Sequence, residues 1–326
     1  MELDNNVESA TKLEEEHKEA AKVEEVASNS SDTNSTINGI ELRKLVGTPV
    51  LLDASIQVGM STKRWNPKMK PFIYKKRVNP YNNSANYVID LTKIVVFLNQ
   101  AYKFVNQIAK NGGSILFVGT KKNNVIKELI KEEAKRTQSH YVVQRWLGGT
   151  LTNFKTLSNS IKRLNEIVAL QKFGEIDKYT KKEQIGILRE TERLNKFVGG
   201  IRMMNSLPDV LIVIDPVADQ NAIKEAKKMH IPVVALANTN ADPSNIDFII
   251  PCNNVSIRSL TLVITILADA IAEARNEELK FVGKQDNEIV LPEVQKRVVN
   301  PTMENMINHK SFSKQENKQE IAKIEK

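Results

Sequence analysis

The stretch of residues 145–201 constrains the fold most. It opens with R-W-L-G-G-T-L-T-N, closes with V-G-G-I, and carries a helical apolar seam on either side of a central break. On the first arm Phe154, Leu157, Ile161, Leu164 and Val168 recur at intervals of three and four; on the second, Ile187, Thr191, Leu194, Val198 and Ile201 do the same. Between them Phe173-Gly174 ends one helix, and Thr180-Lys181-Lys182-Glu183 has the form of a capping box for the next. The pattern predicts an antiparallel helical hairpin. At the helical rise, residues 152–172 would reach about 30 Å, too far to lie flat on a small domain, so the hairpin is expected to project and touch something. Gly148-Gly149 and Gly199-Gly200 mark its two roots, where the chain is expected to need unusual backbone angles.

Around this insertion the pattern alternates between strand and helix. Residues 88–90, 114–118, 141–144, 209–215, 232–237 and 247–250 read as short strands, and residues 92–110, 124–136, 217–229 and 255–274 as helices. Strands as uniformly apolar as D-V-L-I-V-I-D (209–215) belong to a parallel sheet covered on both faces. The expected organisation is an acidic disordered tail over residues 1–39, an α/β domain over 40–276 with the hairpin at 152–201 inserted, and a polar flexible tail over 277–326.

Charge is unevenly placed. The chain is +8 overall, yet residues 1–38 hold ten Asp or Glu against three Lys, so that segment is −7 and the remainder +15. A body this basic suits a polyanionic partner, nucleic acid above all; a Lys-rich soluble surface is the plainer alternative. The densest mixture of cations and rings is K-R-W-N-P-K-M-K-P-F-I-Y-K-K-R (63–77). Pro67 and Pro71 forbid a regular helix there, which predicts a stiff basic loop. Its cations, Arg64, Lys68, Lys70, Lys75, Lys76 and Arg77, read as RNA contacts, and Trp65 and Phe72 as core anchors that pin the loop.

No motif indicates an enzyme. F-V-G-T-K-K (117–122) lacks the spacing of a P-loop or a dinucleotide fingerprint. Asp215, just past a strand, could be a catalytic carboxylate or Mg²⁺ ligand, but no second carboxylate or Lys stands beside it in sequence, and capping of the next helix is the simpler role. His17, His140, His230 and His309 show no metal spacing. The single cysteine, Cys252, excludes an intrachain disulfide, fits a reducing cytoplasm, and reads as a core filler near a strand end. The N-terminus lacks the form of a signal peptide, and the longest apolar run, residues 260–272, is short for a membrane span and contains Asp269. No cofactor, membrane or small-molecule partner is expected.

These stretches, taken together, resemble the bacterial-type ribosomal protein S-two family of the small subunit. The matching residues are 64–73 (R-W-N-P-K-M-K-P-F-I), 115–121, 145–153, 160–164, 207–215, 221–226 and 231–243 (I-P-V-V-A-L-A-N-T-N-A-D-P), in the family's order and covering residues 42–275. The resemblance implies a flavodoxin-like three-layer parallel sheet with an inserted antiparallel coiled-coil hairpin. It also implies a structural, non-catalytic role in the cytoplasmic small ribosomal subunit: binding small-subunit ribosomal RNA and neighbouring ribosomal proteins between head and body, joining late in assembly, and helping to seat ribosomal protein S-one. Carried over by position, Arg64, Lys68, Lys70, Arg145, Lys155, Lys162 and Arg163 are implied RNA contacts. Where the family has V-H-F-G-H, this chain has Ile56-Gln57-Val58-Gly59-Met60, so no histidine-dependent contact carries over.

Overall fold

The computed structural model describes residues 34–37, 40–43, 45–78 and 85–292. The described residues up to Leu291 form one compact unit; of the second, Pro292–Lys326, only Pro292 is described. The expected N-terminal tail up to residue 33, and the C-terminal tail from residue 293, lie outside the described residues.

A β-hairpin comes first, β1 (Asn34–Ile37) with β2 (Ile40–Arg43), then a short helix α1 (Thr48–Asp53). The centre is a five-stranded sheet of β6 (Ile115–Val118), β7 (His140–Val142), β8 (Val210–Val213), β9 (Val233–Ala237) and β10 (Phe248–Pro251). All its pairings are parallel, in the order β10-β9-β8-β6-β7. Numbered from its own first strand this is 2-1-3-4-5 read from the β7 edge, the flavodoxin-like order. Side chains alternate across each strand, and in β6, β8 and β9 both sets are buried throughout, which is why these strands read as continuous apolar runs.

One face carries Ile115, Phe117, Val210, Ile212 and Val234 and packs on α2 (Leu91–Lys110), α3 (Asn124–Arg136) and α7 (Ile257–Ala274). The other carries Leu116, Val118, Leu211, Val213 and Val233 and packs on α6 (Gln220–Lys228) and the rooted ends of α4 (Phe154–Lys172) and α5 (Lys181–Val198). The apolar face of α2, Ile94, Leu98, Ala101 and Val105, is buried as its period predicts, each of its larger side chains contributing about 1.5–3 kcal/mol on burial. Asp90 caps this helix, its carboxylate accepting from the Thr92 N–H at 3.0 Å.

A second sheet was not foreseen. β3 (Val58–Ser61), β4 (Ile73–Val78) and β5 (Ala85–Ile89) form an antiparallel sheet in the order β3-β5-β4. Of the strand expected at residues 88–90, Val88 and Ile89 therefore belong to this sheet, not the parallel one, and the predicted basic loop is a 3₁₀ turn at Pro67–Phe72 followed by an edge strand. The prolines do exclude an α-helix, but a 3₁₀ turn starting at Pro67 needs no N–H from that residue.

The glycine pairs before α4 and after α5 need a different explanation from the one expected. Only Gly149 takes a positive φ, +88°. Gly199 and Gly200 are ordinary in angle, and Gly200 is required by proximity: a Cβ there would lie 2.1 Å from the Tyr141 carbonyl oxygen. Gly200→Ala is therefore expected to cost about 2–3 kcal/mol, read as a lower denaturant midpoint. Gly148→Ala, whose Cβ would meet nothing within 4 Å, serves as the near-neutral control.

The ordered body also runs beyond the expected boundary at 276. Residues 280–282 are bonded to the buried Asp269 carboxylate, Val282 and Leu291 join the core, and Asp286 accepts from the Gly47 N–H at 3.0 Å. A composition rich in Lys, Gln and Glu concealed these anchors.

Candidate nucleic-acid interface

The expected contact residues fall into two groups on different supports. The first is built on residues 64–77. Here Met69 is fully buried among Ala237, Ala241, Ile249, Phe72 and Phe97, so Lys68 and Lys70 on either side of it face solvent. Asn66 holds the turn in two ways: its side chain accepts from the Lys68 N–H at 3.0 Å, and its own N–H donates to the Thr239 carbonyl at 2.8 Å. Trp65 lies against Tyr87 with ring centroids 5.0 Å apart, and Phe72 meets Phe97 edge-on at 5.3 Å. Both rings are thus anchors on this side of the molecule.

Beyond the turn, β4 presents Lys75, Lys76 and Arg77, all exposed. Opposed residues of an antiparallel pair share a face, so Lys76, opposite Tyr87, lies on the Trp65 side, while Lys75 and Arg77, opposite Val88 and Asn86, lie on the other. A register shift between Ile73 and Lys75 puts Tyr74 in a bulge, 68% exposed, with the Lys75 ammonium 5.4 Å from its ring. Arg64, Lys70, Lys75, Lys76 and Arg77 have no ion pair among the described residues. Lys68 is different: its ammonium meets Asp242 at 2.9 Å and Ser244 Oγ at 2.9 Å. The Ser244 N–H and this lysine hold the Asp242 carboxyl down to about 2.

The second group surrounds the root of α4. Arg145, Lys155 and Lys162 are exposed and have no ion pair among the described residues. Arg163 is engaged in a two-pronged pair with Glu190 of α5, at 3.2 Å for each prong. No hydrogen bond or ion pair among the described residues links this group to the first.

What organises the second group is a residue that the sequence reading passed over. The Glu225 carboxylate of α6 accepts from the Trp146 indole at 3.0 Å and from the N–H groups of Gly149, Leu151 and Thr152 at 2.9, 3.0 and 3.3 Å. It also accepts from the Thr152 hydroxyl at 3.3 Å. The R-W-L-G-G-T-L-T motif is thus a loop wrapped round one carboxylate. Burial works to raise its pKa, but the bonds from Gly149, Trp146, Leu151 and Thr152 outweigh burial and hold it below the ordinary value. A sequence signal existed: Ala222, Glu225, Ala226 and Met229 fall on one helical stripe, where a carboxylate needs a partner.

The carboxyl ends of β6 and β8, where an open sheet of this order can bind a ligand, are occupied by the chain's own pairs. Lys121 meets Asp215 at 2.6 Å, and Thr120 donates to the buried Asp219 through its hydroxyl at 2.7 Å and its N–H at 3.2 Å. Burial pushes the Asp219 carboxyl up. Asp215 therefore does have a Lys partner, brought from another strand. Its other oxygen accepts from the Val217 and Ala218 N–H groups, at 3.1 and 3.4 Å, in the turn before α6. Cys252 is buried just past β10, its thiol pushed up to about 12 by burial. Among the described residues no group of three His, Cys, Asp or Glu could hold a metal ion, and no helix is long and apolar enough to cross a membrane.

Comparison with known proteins adds to this geometry. The family model described as ribosomal protein S2 matches residues 51–274. A small ribosomal subunit protein uS2 of Ureaplasma urealyticum is 50% identical, over 96% of this chain and 91% of the relative. Proteins of the same description from Malacoplasma penetrans and Mycoplasmoides gallisepticum are 46% and 42% identical, over 86% and 90% of this chain and 75% and 88% of theirs.

Proposed function

Since the chain belongs to the ribosomal protein S2 family, whose members are structural proteins of the small ribosomal subunit and not enzymes, we propose that it binds small-subunit ribosomal RNA through the cations of residues 64–77 and of the α4 root. In this reading it is a cytoplasmic protein that joins the subunit late in assembly, lies between head and body against neighbouring ribosomal proteins, and helps to seat ribosomal protein S-one. Helices α4 and α5 act as an antiparallel coiled-coil hairpin inserted into the domain. The cross-pair of Arg163 with Glu190, and the bond of Arg202 to Asn165, support that arrangement.

The observation that carries the RNA reading is the row of exposed cations without ion pairs among the described residues, Arg64, Lys70, Lys75, Lys76 and Arg77, on a turn and strand pinned by Met69, Trp65 and Phe72. A cation held without an internal partner can replace the counterions of a phosphate. Lys68 and Arg163, already paired, serve mainly to position their neighbours.

The test uses the triple variant Lys75→Ser, Lys76→Ser, Arg77→Ser, which alters only exposed side chains of an edge strand. Binding to small-subunit ribosomal RNA, followed over a range of salt, should show a slope of log affinity against log salt that is shallower by about 2–3. The variant should also wash from small subunits at lower salt than the native chain. An unchanged slope and unchanged retention on subunits would remove β4 from the interface.

A further inference from the structure

We propose that the acidic segment of residues 1–33 docks on the cationic edge strand β4 in the free chain, and that ribosomal RNA displaces it. The displacement rests on the RNA reading of β4; the docking itself does not. All ten acidic residues of the first 38 fall within residues 1–33, with three lysines, a net of −7. On the other side, β4 is the outer strand of its sheet, and Tyr74, Lys75, Lys76, Arg77 and Val78 are all exposed. Its cations lie on both faces of the strand, so an occupant meets positive charge from either side.

Three considerations select this occupant. A second copy of β4 would set three positive charges against three, which an edge strand avoids. A separate acidic polypeptide lacks the high effective concentration that covalent linkage gives the chain's own segment. The segment also reaches: Glu25 is nine residues and Glu14 twenty residues from Asn34, about 30 and 70 Å of extended chain. Its anchor is close to the target sheet, because β2 lies against α2, and α2 follows β5, the strand paired with β4, with only Asp90 between them. In the free chain the segment would then shield the cations that would otherwise bind any RNA met first.

The test uses the full chain in two readouts. Zero-length carbodiimide cross-linking, mapped by mass spectrometry, should join Glu14, Glu15, Glu16, Glu19, Glu24 or Glu25 to Lys75 and Lys76 at about 0.05 M salt. The links should disappear at about 1 M, where charges are screened within about 3 Å. Links spread evenly to Lys75, Lys76 and the equally exposed Lys181 and Lys182 of α5, or none at Lys75 and Lys76, would overturn the docking. For RNA, a variant with those six glutamates replaced by glutamine should bind polyuridylate about tenfold more tightly than the native chain at about 0.1 M salt. Adding Lys75→Ser, Lys76→Ser and Arg77→Ser should abolish that difference. Specific cross-links without any gain in RNA affinity would uphold the docking and overturn the displacement, while equal polyuridylate affinity of the native chain and of the chain carrying only Lys75→Ser, Lys76→Ser and Arg77→Ser would overturn the RNA reading of β4 itself.

Discussion

Glu225→Ala is expected to destabilise the chain by about 3 kcal/mol and to free the loop at the root of α4. The carboxylate satisfies five donors at once, and bonds to a charged acceptor contribute about 1.5–3 kcal/mol each, without adding in full when they share one group. Glu225→Gln should cost nearly as much, because an amide nitrogen would face the N–H groups that now meet an oxygen. The loss should appear as a melting temperature lower by roughly 10 °C and as faster tryptic cleavage after Arg145 and Lys155. Its pH dependence has a definite sign. The folded pKa lies below that of the unfolded chain, so the stabilisation is complete above the ordinary glutamate value, about 4.3, and fades as pH falls through the lower folded value. The gap between the native chain and Glu225→Ala should therefore narrow on acidification below about pH 4. A gap that is constant down to pH 3 would mean that the carboxylate charge is not what holds the loop.

Asp269→Ala should be at least as damaging, by about 3–5 kcal/mol. This carboxylate is fully buried and accepts from the Lys280, Phe281 and Val282 N–H groups at 3.0, 2.7 and 3.0 Å, while Arg136 meets it at 2.8 Å. Arg136 also pairs with the buried Glu133 at 2.7 Å, and Glu133 with Lys280 at 2.6 Å. Removing Asp269 leaves three N–H groups without their acceptor, and a partly buried guanidinium with one carboxylate in place of two. The expected signature is local before it is global: trypsin should cut after Lys280 and Lys284 in conditions where the rest of the chain resists. Asp269→Asn, which keeps the volume and one acceptor oxygen, should recover part of the loss. Equal proteolysis of native and Asp269→Ala chains would show that the segment is held by its other contacts, Val282 and Leu291 in the core, Lys280 on Glu133 and Asp286 on Gly47.

These two residues also show where sequence reasoning stops. Strands β6, β8 and β9 were legible because both faces are buried and every position is apolar, as in residues 210–214. The limits of α3 and the Thr180–Glu183 capping box were legible because helix ends are governed by local chemistry. β4 was not, since Ile73-Tyr74-Lys75-Lys76-Arg77-Val78 is exposed on both sides and shows no alternation. Lys121 and Asp215 lie 94 residues apart, and only the parallel pairing of β6 with β8 brings them together. Asp269 was noticed as a charge within an apolar run, but its partners come from other elements, including a segment whose composition resembles a loose tail. Glu225 lay within a matched stretch, residues 221–226, and its helical stripe asks for a partner without saying that the loop of residues 146–152 supplies it. For Asp215, Asp269 and Glu225 the missing information was a long-range partner of a single polar group, which local periodicity does not name.

The seating of α4 has a mechanical consequence. The core takes Leu157, Ile161, Leu164 and Val168 from this helix of 19 residues, so the loop clasping Glu225 is its first hold and not a pivot. Beyond Val168 about one turn of α4 is left, roughly 6 Å at the helical rise. The positional tolerance of Phe173 is therefore set by the fraying of that last turn and not by rotation of the helix as a rigid arm.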